Sequence, residues 1–188
     1  MSSNERADPR PERGGGFVDH LRALVRDVPD FPFAGIVFRD ITPLLRHAPS
    51  FAEVVHRLEE RFRDAAIDLV VGIESRGFLF GAPLALALGA GFAPVRKLGK
   101  LPAGTIRREY ALEYGSNQLE MHRDAVTAGQ RVLLVDDVLA TGGTGRAGIE
   151  MIQELGGELV AAAFVIELTA LRGREALGVE EIFSLLHY

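Results

Sequence analysis

The chain has 188 residues, 47% of them hydrophobic and 25% charged, with a formal net charge of −5. That length can bury a substantial core in one domain, and the proportions are ordinary for a globular protein. The absence of cysteine excludes disulfides and zinc–thiolate centres, no apolar run approaches the ~20 residues of a membrane span, and the acidic balance gives no general attraction to nucleic acid.

Residues 1–16 are polar, charged and rich in proline and glycine. They lack the apolar stretch of a secretory leader, which predicts a cytoplasmic protein with a disordered arm at 1–16. Phe17, Leu21, Leu24 and Val28 recur at helical spacing, and Pro29 and Pro32 end that pattern. Ser50 and Glu53 read as a capping box before a helix with the apolar stripe Phe51, Val54, Val55, Leu58 and Phe62. Leu69–Ile73 reads as a buried strand, followed by a turn at Glu74, Ser75, Arg76 and Gly77 and a small-residue helix over Phe78–Leu88. Phe92–Val95 is a short strand. Residues 96–112 carry Arg96, Lys97, Lys100, Arg107 and Arg108 among glycines and a proline, which predicts an exposed, mobile loop. Ser116–His122 reads as a strand. Val132–Val135, a helix over 144–155 and Leu159–Ile166 have the lengths of a right-handed crossover unit. Ile182–Leu186 supplies a last strand. Strands alternating with helices predict an α/β fold with a parallel sheet covered on both faces.

The segment 136–144 carries the most chemistry. An apolar strand leads into Asp136 and Asp137, and Ala140, Thr141, Gly142, Gly143 and Thr144 follow before the next helix. A glycine turn at a helix N-terminus cradles an anion through backbone N–H groups. Two acids beside it suit a ligand that also bears hydroxyls or a metal ion, and a phosphorylated sugar satisfies both demands. A rival is present: Gly143, Gly145 and Gly148 match the dinucleotide-binding spacing, with Glu167 at the distance of a ribose-binding acid. In that fingerprint the strand runs almost directly into the first glycine, whereas here Asp136–Gly142 intervene. Arg76 falls at the end of the strand 69–73, on the same expected sheet edge as Asp136, where it could grip a phosphate through two hydrogen bonds. The five histidines show no metal-ligand spacing.

The 132–144 segment resembles the phosphoribosyl-pyrophosphate motif of the type I phosphoribosyltransferases. The stretches Phe31–Leu44, Glu74–Gly81, Arg96–Pro102 and Leu112–Gly115, in this order, resemble more particularly the adenine phosphoribosyltransferase family. The resemblance covers about 17–188. It implies one domain there, with a small hood formed mainly by about 17–45 and a mobile lid loop. It implies transfer of phosphoribosyl to adenine in purine salvage, giving AMP. Asp136 and Asp137 would hold the ribose hydroxyls and the positive charge developing on the sugar. Ala140, Thr141, Gly142, Gly143 and Thr144 would bind the 5′-phosphate. Arg76, Glu74 and Ser75 would bind pyrophosphate, with Arg96, Lys97 and Lys100 neutralising it. Val37, Phe38 and Arg39 would hold adenine. Glu113 would handle the purine proton, with Tyr114 beside it at the substrate. Mg²⁺ would be held mainly by the substrate rather than by protein ligands, and the chain would be a homodimer with no nucleic-acid or membrane partner. No role follows for the lid interior, 105–110.

Overall fold

The computed structural model describes residues 15–111 and 116–188. The chain forms two compact units, one ending at Glu53 and one spanning Val54–Tyr188.

The first unit contains helix α1 (Gly15–Ala23), a ribbon of strands β1 (Arg26–Pro29) and β2 (Val37–Asp40), helix α2 (Thr42–Arg46) and the start of helix α3 (Ala48–Phe62). Helix α1 takes in Gly15 and Gly16, and residues 1–14 lie outside the described part. It stops at Ala23, short of the periodic pattern that reaches Val28. The β-branched Val25 and Val28, followed by Pro29, favour extended chain, and Val28 pairs with Phe38 in the antiparallel ribbon. Asp40 accepts the Thr42 N–H and hydroxyl at 2.9 and 2.6 Å, which caps the entry to α2.

The expected capping box at Ser50 does not form. Helix α3 begins two residues earlier, at Ala48, with Pro49 in its first turn, where a missing N–H costs nothing. Ser50 is instead buried, and its hydroxyl bridges His20 Nε2 at 3.0 Å and His47 Nδ1 at 2.8 Å.

The second unit is built on a seven-stranded sheet. Its strands are β3 (Leu69–Ile73), β4 (Gly91–Lys97), β5 (Thr105–Ala111), β6 (Ser116–His122), β7 (Arg131–Leu139), β8 (Glu158–Glu167) and β9 (Ile182–His187). They lie in the order β5-β6-β4-β3-β7-β8-β9. The pairs from β4 to β9 are parallel, while β6 runs antiparallel to both β4 and β5. Helices α4 (Arg76–Leu88), α5 (Gly143–Glu154) and α6 (Gly173–Leu177) complete the unit. All five residues of β3 are buried, as expected for a strand covered on both faces. Val71, Ile73, Val95, Leu134, Met151, Ile152 and Ala162 belong to one core cluster. At the other end of the fold, Phe62 meets Phe183 edge to face, with ring centres 6.0 Å apart.

The mobile loop expected at 96–112 is mostly sheet. Strand β4 continues through Arg96 and Lys97, and β5 pairs with β6 along its whole length, from Thr105 opposite His122 to Ala111 opposite Ser116. The charges hide a period of two: Ile106 is buried and Arg108 and Tyr110 half-buried, while Arg107 and Glu109 face water. What remains irregular is 98–104, and it is tied down. Glu120 on β6 is only 2% exposed. Its Oε1 accepts the N–H groups of Lys100 at 2.8 Å and Leu101 at 2.9 Å, and the Gly99 N–H also donates to this carboxylate.

Burial pushes the Glu120 carboxyl up, but the N–H groups of Leu101 and Lys100 outweigh it and hold the group below the usual range. A depressed carboxyl stabilises the fold above its unfolded pKa, and that stabilisation is lost as pH falls through the folded value. Glu120→Ala should therefore cost about 1–3 kcal/mol at neutral pH, the penalty for stranded donors. In urea melts the gap to wild type should narrow once the pH drops below the ordinary carboxylate range. An equal gap at both pH values would mean that packing, not charge, sets the effect.

Candidate active site

The order of strands reverses at β3 and β7. β3 leads through α4 to β4 on one side, and β7 leads through α5 to β8 on the other. In open α/β sheets the crevice beyond the carboxyl ends at such a reversal is where ligands bind. Here two turns meet in it.

The first turn runs from Glu74 to Gly77. Its approach to β7 is close: a Cβ at Gly77 would stand 2.8 Å from the Val135 carbonyl oxygen and 2.9 Å from Asp136 Oδ1. Only glycine fits there. Arg76 opens α4 and reaches across, with Nε 2.9 Å from Asp137 Oδ2. Asp137 Oδ2 carries no hydrogen bond, so this contact is an ion pair alone. Glu74 turns the other way, towards β4. Its Oε2 accepts the Arg96 side chain and the Lys97 N–H, each at 3.1 Å. Burial raises the Glu74 carboxyl, and these two partners bring it below its ordinary value.

The second turn joins β7 to α5. Asp136 and Asp137 lie within β7, which runs on to Leu139 rather than ending at Val135. Only Ala140, Thr141 and Gly142 then separate strand from helix, so the long spacing that set aside a dinucleotide site is absent. Gly142 takes φ of +85°, the left-handed step that turns the chain into α5. Two glycines of that fingerprint, Gly145 and Gly148, serve packing. A Cβ at Gly145 would strike Leu177 at 2.7 Å, and one at Gly148 would meet Leu134 at 3.0 Å. Glu167, in the place of the ribose-binding acid, is buried and bonded by Arg174.

The two acids are a high-energy pair. Asp136 Oδ1 accepts the Asp137 N–H at 2.8 Å. Burial, then the charge of Asp137, pushes the Asp136 carboxyl well above its ordinary value. Burial also raises Asp137, and the Arg76 charge opposes that without reversing it. Burial and mutual charge thus make both carboxyls harder to ionise than ordinary ones.

Asp136, Asp137, Arg76, Glu74, Ser75, Arg96 and Lys97 thus gather at one edge of the sheet, with Ala140, Thr141, Gly142, Gly143 and Thr144 forming the second turn. Lys100 is exposed on the 98–104 segment, where Arg96 Nη1 donates to its carbonyl at 3.2 Å. Val37, Phe38 and Arg39 form β2 of the first unit, where Phe38 meets Phe31 edge to face and Arg39 pairs with Asp27. Glu113 and Tyr114 lie outside the described residues. One residue escaped the sequence reading. Tyr110 on β5 hydrogen-bonds Thr144 and Asn117, and burial together with the charge of Asp136 raises its phenol. The alternation of Ile106, Arg108 and Tyr110 was the signal that could have placed it.

The sequence matches the phosphoribosyl transferase domain over residues 40–184. An adenine phosphoribosyltransferase of Chloroflexus aurantiacus is 55% identical over 168 residues, which cover 89% of this chain and 97% of that one. The crystal structure of the adenine phosphoribosyltransferase of Thermoanaerobacter pseudethanolicus superposes with a TM-score of 0.88 at 48% identity, covering 91% of this chain and 99% of the other. That of Saccharomyces cerevisiae, complexed with D-2,5-dideoxy-2,5-imino-altritol 1,6-bisphosphate and adenine, gives 0.84 at 42% identity, covering 90% and 98%. The chain belongs to the phosphoribosyltransferases and, among them, to the adenine phosphoribosyltransferase family.

Because the acidic pair is raised in the folded chain, the fold loses stability as pH rises from the unfolded carboxyl range through the folded one. Asp136→Asn removes the repulsion. It should raise the melting temperature of the ligand-free protein near neutral pH, by about 2–4 °C for each kcal/mol relieved, and lower catalytic activity. Calorimetry beside an activity assay checks this, and a lower melting temperature would mean that the charged pair holds the fold together.

Proposed function

We infer that this chain transfers the phosphoribosyl group of 5-phosphoribosyl 1-pyrophosphate to adenine, giving AMP and pyrophosphate, a step of purine salvage. The observation that carries this reading is the adjacent pair of half-buried Asp136 and buried Asp137 beside a left-handed glycine turn at the head of α5, in a chain that matches adenine phosphoribosyltransferases over nearly its whole length. The relative from Giardia lamblia was crystallised with 9-deazaadenine and the yeast one with adenine, which supports a purine substrate here.

The roles follow from the chemistry. Adenine N9 attacks C1 of the ribose, the C1–oxygen bond to pyrophosphate breaks, and pyrophosphate leaves with the bonding pair. Positive charge grows on the sugar in between. Asp136 and Asp137 hold the ribose hydroxyls and face that charge. A cation beside them favours their charged form, so their stabilisation strengthens as the transition state forms. Ala140, Thr141, Gly142, Gly143 and Thr144 receive the 5′-phosphate through N–H and hydroxyl donors at the start of a helix. Arg76, with Glu74 and Ser75, and the cations Arg96, Lys97 and Lys100 receive the pyrophosphate. Val37, Phe38 and Arg39 grip adenine, Glu113 takes the purine proton, and Tyr114 contacts the substrate.

Mg²⁺ fits this site as part of the substrate complex. Asp137 Oδ2 has no hydrogen bond, and hard oxygen donors are what such an ion takes, most of them supplied by substrate and water. Bound with pyrophosphate, it would neutralise the leaving group.

A homodimer fits α4. From Gly77 to Val95 the sequence carries no charge, yet Leu79 is 42% and Leu86 83% exposed in the single chain. An apolar helix with a bare outer face suits cover by a second copy. No described helix is long and apolar enough to cross a membrane, and a cytoplasmic location suits a chain without cysteine.

The test is AMP synthesis from adenine and phosphoribosyl pyrophosphate with Mg²⁺, with hypoxanthine, guanine and xanthine as rivals. Adenine should win by several orders of magnitude, because a site built on a particular hydrogen bond rejects the mismatched analogue. Excess chelator should stop the reaction. Comparable use of hypoxanthine would remove the adenine assignment and leave only the wider family. Sedimentation velocity should give twice the chain mass, and Leu86→Glu should shift it towards the monomer.

A further inference from the structure

The acid that mimics a ribose-binding residue, Glu167, has another use. It ends β8 with its side chain only 6% exposed. Both of its oxygens accept Arg174 Nε, at 2.7 and 2.9 Å. The same guanidinium donates through Nη1 to the Ile182 carbonyl at 2.9 Å. One arginine therefore ties α6 to the ends of two strands. His187 Nε2 stands 3.5 Å from Glu167 and adds to the same knot.

What α6 then touches is the second turn of the site. A Cβ on Gly173 would lie 2.2 Å from the Ala140 carbonyl oxygen and 2.9 Å from the Leu139 side chain. From the other side, a Cβ on Gly142 would lie 2.5 Å from the Gly173 carbonyl oxygen and 2.9 Å from Ala176. Backbone meets backbone with no room for a methyl group on either strand of the contact. The Leu177 side chain also closes on Gly145, where a Cβ would lie 2.7 Å from its Cδ2. Arg172, just before α6, takes φ of +53°, a left-handed strain that a non-glycine residue keeps only when its surroundings impose it. The clamp supplied by Arg174 lies two residues further on.

We propose that Arg174, anchored on Glu167, is a positioning residue for the 5′-phosphate: it seats α6 against Ala140–Gly142 and so fixes the turn whose N–H groups receive that phosphate. This rests on the reading of 140–144 as the phosphate site given above. Arg174 touches no substrate and acts through the backbone contact of Gly173. The pyrophosphate turn at 74–77 has no part in the clamp, so the effect should divide the two anion sites. Displacements of about 1 Å in such a site cost up to a hundredfold, and a loosened turn should cost less.

The experiment is calorimetric titration of ribose 5-phosphate and, separately, pyrophosphate, in the presence of Mg²⁺, into wild type, Arg174→Ala, Arg174→Lys and Gly173→Ala. Circular dichroism establishes that each variant is folded. Arg174→Ala should weaken ribose 5-phosphate about tenfold and leave pyrophosphate unchanged, with KM for phosphoribosyl pyrophosphate rising more than kcat falls. Arg174→Lys should recover part of the loss, and Gly173→Ala should reproduce it with the Glu167–Arg174 pair intact. Ribose 5-phosphate binding in folded Arg174→Ala and Gly173→Ala at the wild-type level would overturn the proposal, as would equal weakening of both ligands. If Arg174→Ala does not fold, Gly173→Ala decides, and if neither folds α6 is a prop of the fold and the positioning role is refuted. Failure of wild type to bind ribose 5-phosphate would strike instead at the phosphate-site reading.

Discussion

Two adjacent carboxylates within strand β7, Asp137 buried and Asp136 half-buried, set the terms for everything around them. Burying one charge without compensation is costly, and burying two side by side adds repulsion. The chain meets this cost with local devices. Arg76 brings a cation to Asp137, the Asp137 N–H turns onto Asp136, and Gly77 lets the turn bearing that cation come within van der Waals reach of β7. None of these brings the pair back to ordinary acidity. The remaining cost is held by the surrounding sheet, where Val132, Leu133, Leu134 and Val135 are wholly buried. Such an arrangement persists in a folded protein when function rewards it, since the same fold with a neutral pair would be easier to make.

Glycine is the second recurring device, and it works by close approach more than by flexibility. Gly77, Gly142 and Gly173 each stand where a methyl group would strike backbone or carboxylate atoms nearer than 3 Å. Of these, only Gly142 also needs a left-handed φ. The contacts draw the start of α4, the end of β7 with its 140–142 turn, and α6 together, so the site is assembled from three chain segments that are distant in sequence and pinned where their backbones touch. Side chains that carry chemistry can then sit on a frame that has little freedom to move.

Those contacts explain what the sequence made legible. Two strands could be read to the residue: Leu69–Ile73, an uninterrupted apolar run, and the mostly polar Ser116–His122 match the observed strands. The acid pair and the glycine turn were legible because their composition is unusual for a plain strand–helix junction. The strand that carries them was read too short, since acids inside a buried strand contradict the hydrophobic pattern used to find strands. β5 was missed for a related reason. Five basic residues across 96–112 look like solvated loop, and the pairing with β6 that orders them leaves no local trace beyond a weak alternation. Ser50 shows the opposite error: a capping pattern was present, but Pro49 let the helix start earlier and the hydroxyl went to two histidines. Long-range partners such as Glu120 with the 98–104 turn, or Arg174 with Glu167, could not be read from spacing at all.

The distribution of charge closes the physical picture. The chain is acidic as a whole, with a net −5, yet the groups proposed to meet pyrophosphate are basic. Acids of the chain itself hold these residues, Arg96 by its side chain and Lys97 and Lys100 by backbone N–H alone. Glu74 takes the Arg96 side chain and the Lys97 N–H, and Glu120 takes the N–H groups that precede and follow the Lys100 carbon. The two acids differ in what they hold. Glu120 is deeply buried and bonds to backbone, so it shapes the turn whatever occupies the site. Glu74 is partly open and bonds to a guanidinium that a phosphate could also engage. An arriving anion would therefore find the Arg96 guanidinium already oriented, and engaging it exchanges one carboxylate contact rather than ordering a free side chain.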